Sequence, residues 1–280
     1  MGQWLKCEGG QHMHTFLSQY DFLGLTHTGE GDESMAHVAI SDAFTCIGRA
    51  IRTHRAQAAG VACYVKHWLA PYAKCVLTRP DEGVVWIKLS GCAGMQAPLF
   101  VAVVYMPPAG STHYTSGQDI AAHYEMLTAD VAMFSGQGHT LLLGDFNART
   151  GMQPEHASSA HDTAWDVLRQ VNGAVPPPHH PLQASVPQRV SVDNMVNNMG
   201  KHLLRMCDTC GLVIMNGRTA GDQPGQATFD KLGYSEANAR RSVIDYAIAS
   251  LDLVAQEDGM RVGVSMSVLD FRACPTRRQV

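Results

Sequence analysis

An α/β fold with mixed β-sheets is what this sequence predicts, and three observations predict it. Short apolar runs recur along the chain, two segments between them carry apolar residues at helical spacing, and one pair of runs is joined by only GCAGMQAP. Runs that are apolar at every position suit strands covered on both faces of a sheet. They place strands over 22–26, 61–65, 84–89, 99–105, 140–144, 212–215, 243–249 and 261–265. The connection between 84–89 and 99–105 is short enough for an antiparallel hairpin with a loose loop, so parallel and antiparallel pairs both enter the expectation. A helix is predicted over 117–135, where Ile120, Tyr124, Leu127, Val131 and Phe134 recur at steps of four and three and paint one face. A second is predicted over 193–210, where Val196, Met199, Leu203, Met206 and Cys210 do the same. Gly211 stands where the end of that helix favours a left-handed residue.

The chain has 280 residues, 45% of them apolar, and no charge run or low-complexity linker divides it. A single domain over 1–280 follows, able to bury one large core. The segment 151–192 differs, with PPPHHP and many Ala, Ser, Gln and His residues, and is read as a long loop insertion that is functional or disordered. Its histidines, His156, His161, His179 and His180, are read as exposed rather than as metal ligands. The longest apolar stretch, PLFVAVVYM, is about half of the ~20 residues a membrane span requires, so no membrane association is expected. The polar first residues lack the pattern of a secretory signal, which makes an intracellular protein the expectation. Eight cysteines then read as reduced thiols. Cys207 and Cys210 are spaced CxxC, with His202 nearby, and packed helix cysteines are favoured over a zinc site that lacks further ligands.

With 21 Lys+Arg against 25 Asp+Glu, the net charge is −4. Nonspecific affinity for nucleic acid comes largely from neutralising phosphates, so this composition does not support tight DNA binding. Arg240, Arg241, Arg272, Arg277 and Arg278 are read as solvated charge ahead of a local basic patch.

Three segments carry candidate chemistry. In LLLGDFNART at 141–150 an apolar run stops at Gly144 and delivers Asp145 and Asn147, two residues apart. Side chains at i and i+2 of an extended segment point the same way. A carboxylate beside a carboxamide can then take a proton from a water molecule and orient it. The competing reading is an Asx turn after a strand. In VVYMPPAGS, Tyr105 ends a run before two prolines, either as a functional hydroxyl or as an aromatic packed on Pro107 and Pro108. In SVIDYAIAS, Asp245 lies within an apolar run, where an unpaired carboxylate is costly and needs a partner.

The order and wording of these segments resemble the endonuclease/exonuclease/phosphatase superfamily, closest to the endonuclease domains of non-LTR retrotransposons. The resemblance runs over nearly the whole chain, through DFLGLTHT, AGVACYV, VVWIKLSG, LLRMCDTCGLVIMNGR and GDQPGQATFD. It implies a four-layer α/β sandwich, two packed mixed β-sheets flanked by helices, truncated at the N-terminal strand. It also implies a metal-dependent phosphodiesterase of DNA or RNA that uses magnesium, with manganese as an alternative. By the same resemblance Asp145 and Asn147 position and activate the attacking water, the Tyr105 hydroxyl faces the phosphate, and Asp245 orients a histidine in a later Ser-Asp-His motif. That motif aligns with Leu269, Asp270 and Phe271, which leaves Asp270 as a metal-side carboxylate and puts Phe271 at the histidine position.

Phenylalanine neither donates a proton nor hydrogen-bonds a phosphate. His27 stands where the family has a glutamate metal ligand, with Glu30 three residues on, and imidazole suits magnesium less well than manganese or zinc. The family's first metal-site Asn would fall before Met1. Two readings follow: an endonuclease-like phosphodiesterase, which the ancestry favours, and an inactive descendant that binds nucleic acid or a protein, which the chain as written favours. A phosphatase of the same superfamily is a third. Oligomeric state is not legible.

Overall fold

The computed structural model describes residues 17, 19–26, 28, 42–51, 60–92, 95–114, 116–156, 186–218, 222, 225–230 and 241–254. Its strands are β1 (Phe22–Leu25), β2 (Phe44–Ala50), β3 (Val61–Lys66), β4 (Ala73–Arg79), β5 (Val84–Leu89), β6 (Leu99–Tyr105), β7 (His139–Asp145), β8 (Leu212–Ile214), β9 (Phe229–Asp230), β10 (Arg241–Ser242) and β11 (Asp245–Ser250). Helix α1 spans Gly117–Ser135, α2 Asn198–Cys210 and the short α3 Leu251–Val254.

Six strands form one sheet in the order β4-β5-β6-β7-β11-β8, and three form a second in the order β1-β3-β2. In the larger sheet β6 and β7 run parallel, joined through α1, and every other pair is antiparallel. This is the mixed sheet expected, with the expected hairpin between β5 and β6. The smaller sheet is antiparallel throughout its described strands. The two sheets pack face to face: Val101, Val103 and Leu141 from one join Val61, Cys63 and Val65 from the other in a single buried cluster. Because successive strand residues point to opposite faces, the alternate residues Phe100, Ala102 and Val104 meet Leu127, Val131 and Phe134 of α1 and Leu203 and Met206 of α2. Each of these side chains larger than alanine contributes roughly 1.5–3 kcal/mol when fully buried. On the far side of the smaller sheet Leu23, Phe44, Ala62 and Tyr64 are buried together with Leu17. The layering is that of an α/β sandwich.

Four of the described strands are not foreseen from the sequence: β2, β4 and the two-residue β9 and β10. β4 (AKCVLTR) lies at the edge of its sheet and exposes Lys74 and Thr78, so it is not apolar on both faces. β2 (FTCIGRA) is interrupted by a shift of register between Cys46 and Gly48. The second helix begins at Asn198 and not at 193, since Asn197 caps it by accepting a hydrogen bond from the Gly200 N–H. Residues 193–197 are committed to other contacts, among them a bridge between Val196 and Thr150. Gly211 closes the helix at φ 63°, as its position predicts.

Cys207 is buried and Cys210 packs against the same core, and burial pushes the Cys210 thiol up to about 11. His202 stacks on Tyr124, with ring centroids 5.6 Å apart. His156 differs from the expectation of an exposed loop residue, being half-buried with Nδ1 3.3 Å from Asp208. The other three histidines of that loop, the predicted strand 261–265 and four of the five arginines lie outside the described residues; Arg241 is exposed. Among the described residues, no helix is long and apolar enough to cross a membrane.

Candidate active site

Three adjacent inner strands meet at one end of the larger sheet. β6 ends at Tyr105, β7 ends at Asp145 beside it in parallel register, and β11 starts at Asp245 opposite Asp145 in antiparallel register. Residues paired in this way project to the same face, so the three side chains form a row across adjacent strands. That face is the one turned toward the smaller sheet, since Tyr105, Leu141 and Ala249 share its cluster. The carboxyl end of neighbouring parallel strands is where open α/β sheets leave a crevice.

Local chemistry explains why the chain permits this row. Gly144 has φ 140°, and a Cβ there would lie 2.0 Å from the Val104 carbonyl oxygen, so only glycine lets β7 approach β6 this closely. Met106 N–H donates to the Asp145 carbonyl oxygen at 2.8 Å, and Phe146 N–H donates to that of Ile244 at 2.9 Å, which continues the ladder past the strand ends. On the other side, Gly83 in the β4–β5 turn accepts a hydrogen bond from Tyr105 N–H at 2.9 Å. Tyr105 is buried at the end of its strand.

Asn147 reaches the site by a route that differs from the one the spacing predicts. The strand stops at Asp145, and Asn147 sits in the left-handed region at φ 47°, so the two side chains are not related by extended geometry. Instead Asn147 N–H donates to Asp145 Oδ1 at 2.8 Å, an Asx turn, and Asn147 Nδ2 donates to the Met106 carbonyl oxygen at 2.8 Å. The turn that competed with the functional reading is therefore the device that brings carboxylate and carboxamide together. Of the Asn147 carboxamide, one N–H is used by Met106, and its half-buried remainder lies beside the row.

Asp245 has the partner that its burial requires. Thr228 Oγ1 accepts hydrogen bonds from the backbone N–H groups of Ile244 and Asp245, both at 3.0 Å. Its hydroxyl proton is left to serve the Asp245 carboxylate. Burial and the neighbouring Asp145 nevertheless push the Asp245 carboxyl up to about 7, against the opposing pull of Thr228. Asn216 grips the same strand, donating from Nδ2 to the Asp245 carbonyl oxygen at 3.1 Å and accepting from Ala247 N–H at 2.9 Å.

A second tier holds this one. Arg149 forms a two-pronged pair with Asp193, Nε to Oδ2 at 2.8 Å and Nη2 to Oδ1 at 2.6 Å. Asp193 also accepts from Met195 N–H at 3.0 Å and from Val243 N–H at 3.1 Å. Burial raises the Asp193 carboxyl, but Arg149 and the two amides outweigh it and hold it below the usual range. Farther out, Glu155 accepts from Arg218 at 2.6 Å and from Ile214 N–H at 3.0 Å, and so anchors the start of the 151–192 segment. Burial opposes its ionisation, yet Arg218 and Arg189 hold its carboxyl below the usual range.

Of the sequence-predicted residues, Tyr105, Asp145, Asn147 and Asp245 are brought together. His27, Glu30, Asp270 and Phe271 lie outside the described residues. Sequence alone gives no role to Thr228, Asn216, Asp193, Arg149 or Asn197. Arg149, Asn216 and Thr228 do fall inside the motifs LLLGDFNART, LLRMCDTCGLVIMNGR and GDQPGQATFD, which is the signal the sequence carries for them.

Among the described residues no group of three or more His, Cys, Asp or Glu side chains is arranged to hold a metal ion. What they offer is a side-by-side carboxylate pair of hard oxygen donors, in which each negative charge makes the other costly. A divalent cation would offset that repulsion, so the donor set fits one.

No family model and no curated protein matches the chain. Solved structures do. The endonuclease domain of TRAS1, a telomere-specific non-LTR retrotransposon, aligns at 14% identity over 90% of this chain and 83% of its own, with a TM-score of 0.48. The Xenopus laevis APE2 catalytic domain aligns at 15% identity over 90% of this chain and 80% of its own, with a TM-score of 0.57. AP endonuclease LMAP from Leishmania major aligns at 13% identity over 89% of this chain and 75% of its own, with a TM-score of 0.53. The chain thus has the α/β sandwich fold of the AP endonuclease structures, the architecture that its sequence motifs predict.

Proposed function

We propose that this chain is a metal-dependent phosphodiesterase of the endonuclease type, acting on DNA or RNA inside the cell. The observation that supports this reading is the row of Tyr105, Asp145 and Asp245 across three adjacent strands, with Asn147 fastened beside it. Magnesium is the cation of first choice and manganese the second, with Asp270 and His27 as the further ligands. When bound, such an ion supplies stabilisation of charge on the phosphate and the leaving oxygen.

The protein's own groups then have distinct tasks. Asp145 accepts the proton of the attacking water, and Asn147, pinned through Met106, orients that water. Tyr105 presents its hydroxyl to a phosphate oxygen. By the resemblance, Phe271 stands at the sequence position of the histidine that Asp245 would orient. With its carboxyl raised to about 7, Asp245 can itself hold or release a proton near neutral pH.

The replacements at His27 and Phe271 favour a second reading, an inactive descendant that binds nucleic acid or a protein partner. Loss of a general acid or base costs about 10²–10⁴ in rate. The discriminating experiment is a nuclease assay on DNA and RNA with magnesium and then manganese, run on wild type, Asp145→Ala and the double variant His27→Glu with Phe271→His. Wild-type cleavage that disappears in Asp145→Ala supports the phosphodiesterase. Cleavage only in the double variant establishes the inactive descendant, and turnover of phosphomonoesters in place of nucleic acid identifies a phosphatase.

A further inference from the structure

Asn197, which no sequence motif marks, is the residue where the fold and the site meet. Its single carboxamide does three things at once. Oδ1 accepts from Gly200 N–H at 2.7 Å, which caps α2, and from Arg149 N–H at 2.9 Å. Nδ2 donates to the carbonyl oxygen of Asn147 at 3.1 Å. The backbone completes the lock: Asn197 N–H donates to the Arg149 carbonyl oxygen at 3.0 Å. The approach is close enough that a Cβ on Gly200 would lie 1.8 Å from the same oxygen, so glycine is required in this first turn.

What Asn197 grips is the one described residue other than glycine in a left-handed conformation. Asn147 has φ 47°. Such a conformation costs free energy and persists when neighbouring groups over-determine it. Three hydrogen bonds do so here: Asn147 N–H to Asp145 Oδ1, Asn147 Nδ2 to the Met106 carbonyl, and the Asn147 carbonyl from Asn197 Nδ2. The first two come from the site itself. The third alone ties Asn147 to an element outside the sheet, 50 residues along the chain.

We propose that Asn197 is a positioning residue: by donating to the Asn147 carbonyl it holds Asn147 in the left-handed turn that presents its carboxamide beside Asp145. The proposal rests on the phosphodiesterase reading for its catalytic consequence, though not for its structural one. It distinguishes this N-cap from an ordinary one, for which any good acceptor suffices.

Two variants separate capping from positioning. Asn197→Asp keeps the size and the acceptor oxygen for Gly200 and Arg149, and a carboxylate is favourable at a helix N-terminus. It removes the donor to Asn147. Asn197→Ser keeps a cap of similar quality but carries no amide donor. Hydrogen exchange of the Asn147 amide, followed by NMR in the full chain, should speed up about tenfold in both variants, the scale of one lost hydrogen bond. Exchange in α2 and the melting temperature should change little. Where the wild type cleaves nucleic acid, kcat should fall about tenfold with KM unchanged.

Unchanged exchange at Asn147 in both variants overturns the proposal, whatever the activity. Faster exchange with undiminished kcat in an active wild type overturns its catalytic part. Faster exchange in a protein that shows no cleavage supports the grip on Asn147 and counts against the phosphodiesterase reading alone.

Discussion

Replacing Asp245 with asparagine should stabilise this protein at pH 8 and leave it almost unchanged at pH 4. In the folded chain the Asp245 carboxyl is raised from 3.8 to about 7 by burial and by Asp145. Between those two values the folded state binds a proton that the unfolded state has released. The contribution of Asp245 to wild-type stability therefore falls as pH rises through this window and stays low above it. A shift of this size corresponds to roughly 4 kcal/mol at about 1.4 kcal/mol per pH unit, which is a ceiling. Half of it, about 2 kcal/mol, is the expected gain once solvent contact at a half-buried site is allowed for. Asparagine carries no charge to repel Asp145 and retains an oxygen for the Thr228 hydroxyl. Urea unfolding of both proteins at a series of pH values from 4 to 8 measures the difference directly. The two curves should meet near pH 4 and separate by about 2 kcal/mol at pH 8, with the variant above. Parallel curves would refute the view that the two carboxylates share one desolvated position. Magnesium added at pH 8 should narrow the gap by stabilising wild type selectively, and chelation should restore it.

Two further outcomes follow from the tier behind the site. Asp193→Asn leaves the Arg149 guanidinium without its carboxylate and should cost about 3 kcal/mol in urea unfolding at pH 7. Because the Asp193 carboxyl is held below the usual range, its contribution is present above about pH 4 and is lost as pH falls through the lowered value. Gly144→Ala forces a methyl group to within 2.0 Å of the Val104 carbonyl oxygen and should destabilise by more than about 1 kcal/mol in thermal unfolding. An alanine variant as stable as wild type would mean that β6 and β7 are farther apart than described.

The parts of this molecule that sequence reveals are those with a local signature. Strands β3, β5, β6 and β7 declare themselves as unbroken apolar runs because both faces of their sheets are covered. α1 declares itself by one apolar stripe. Gly144-Asp145-Phe146-Asn147 stands out because a strand that ends in glycine and two polar residues is a rare sentence in an apolar context. β4 was hidden by its edge position, and the start of α2 by five residues that share its apolar spacing while bonding elsewhere. Of the site's support, Asn197, Asp193 and Thr228 could not be read off: each acts through side-chain hydrogen bonds on a residue 15 or more positions away. A polar residue in a loop looks the same whether it meets water or a backbone amide.

The sequence by itself determined the alternation of strands and helices and that one apolar run closes on Gly144 and Asp145, because hydrophobic burial imposes its period on neighbouring residues. Only the tertiary structure decided that Tyr105, Asp145 and Asp245 stand in one row. Strand order and register are set by packing between distant segments, and one residue of slip would have sent each of these side chains to the opposite face. It also decided that Asp145 and Asn147 meet through a left-handed turn, a conformation that pays its cost only because Met106, Asp145 and Asn197 hold it from three sides.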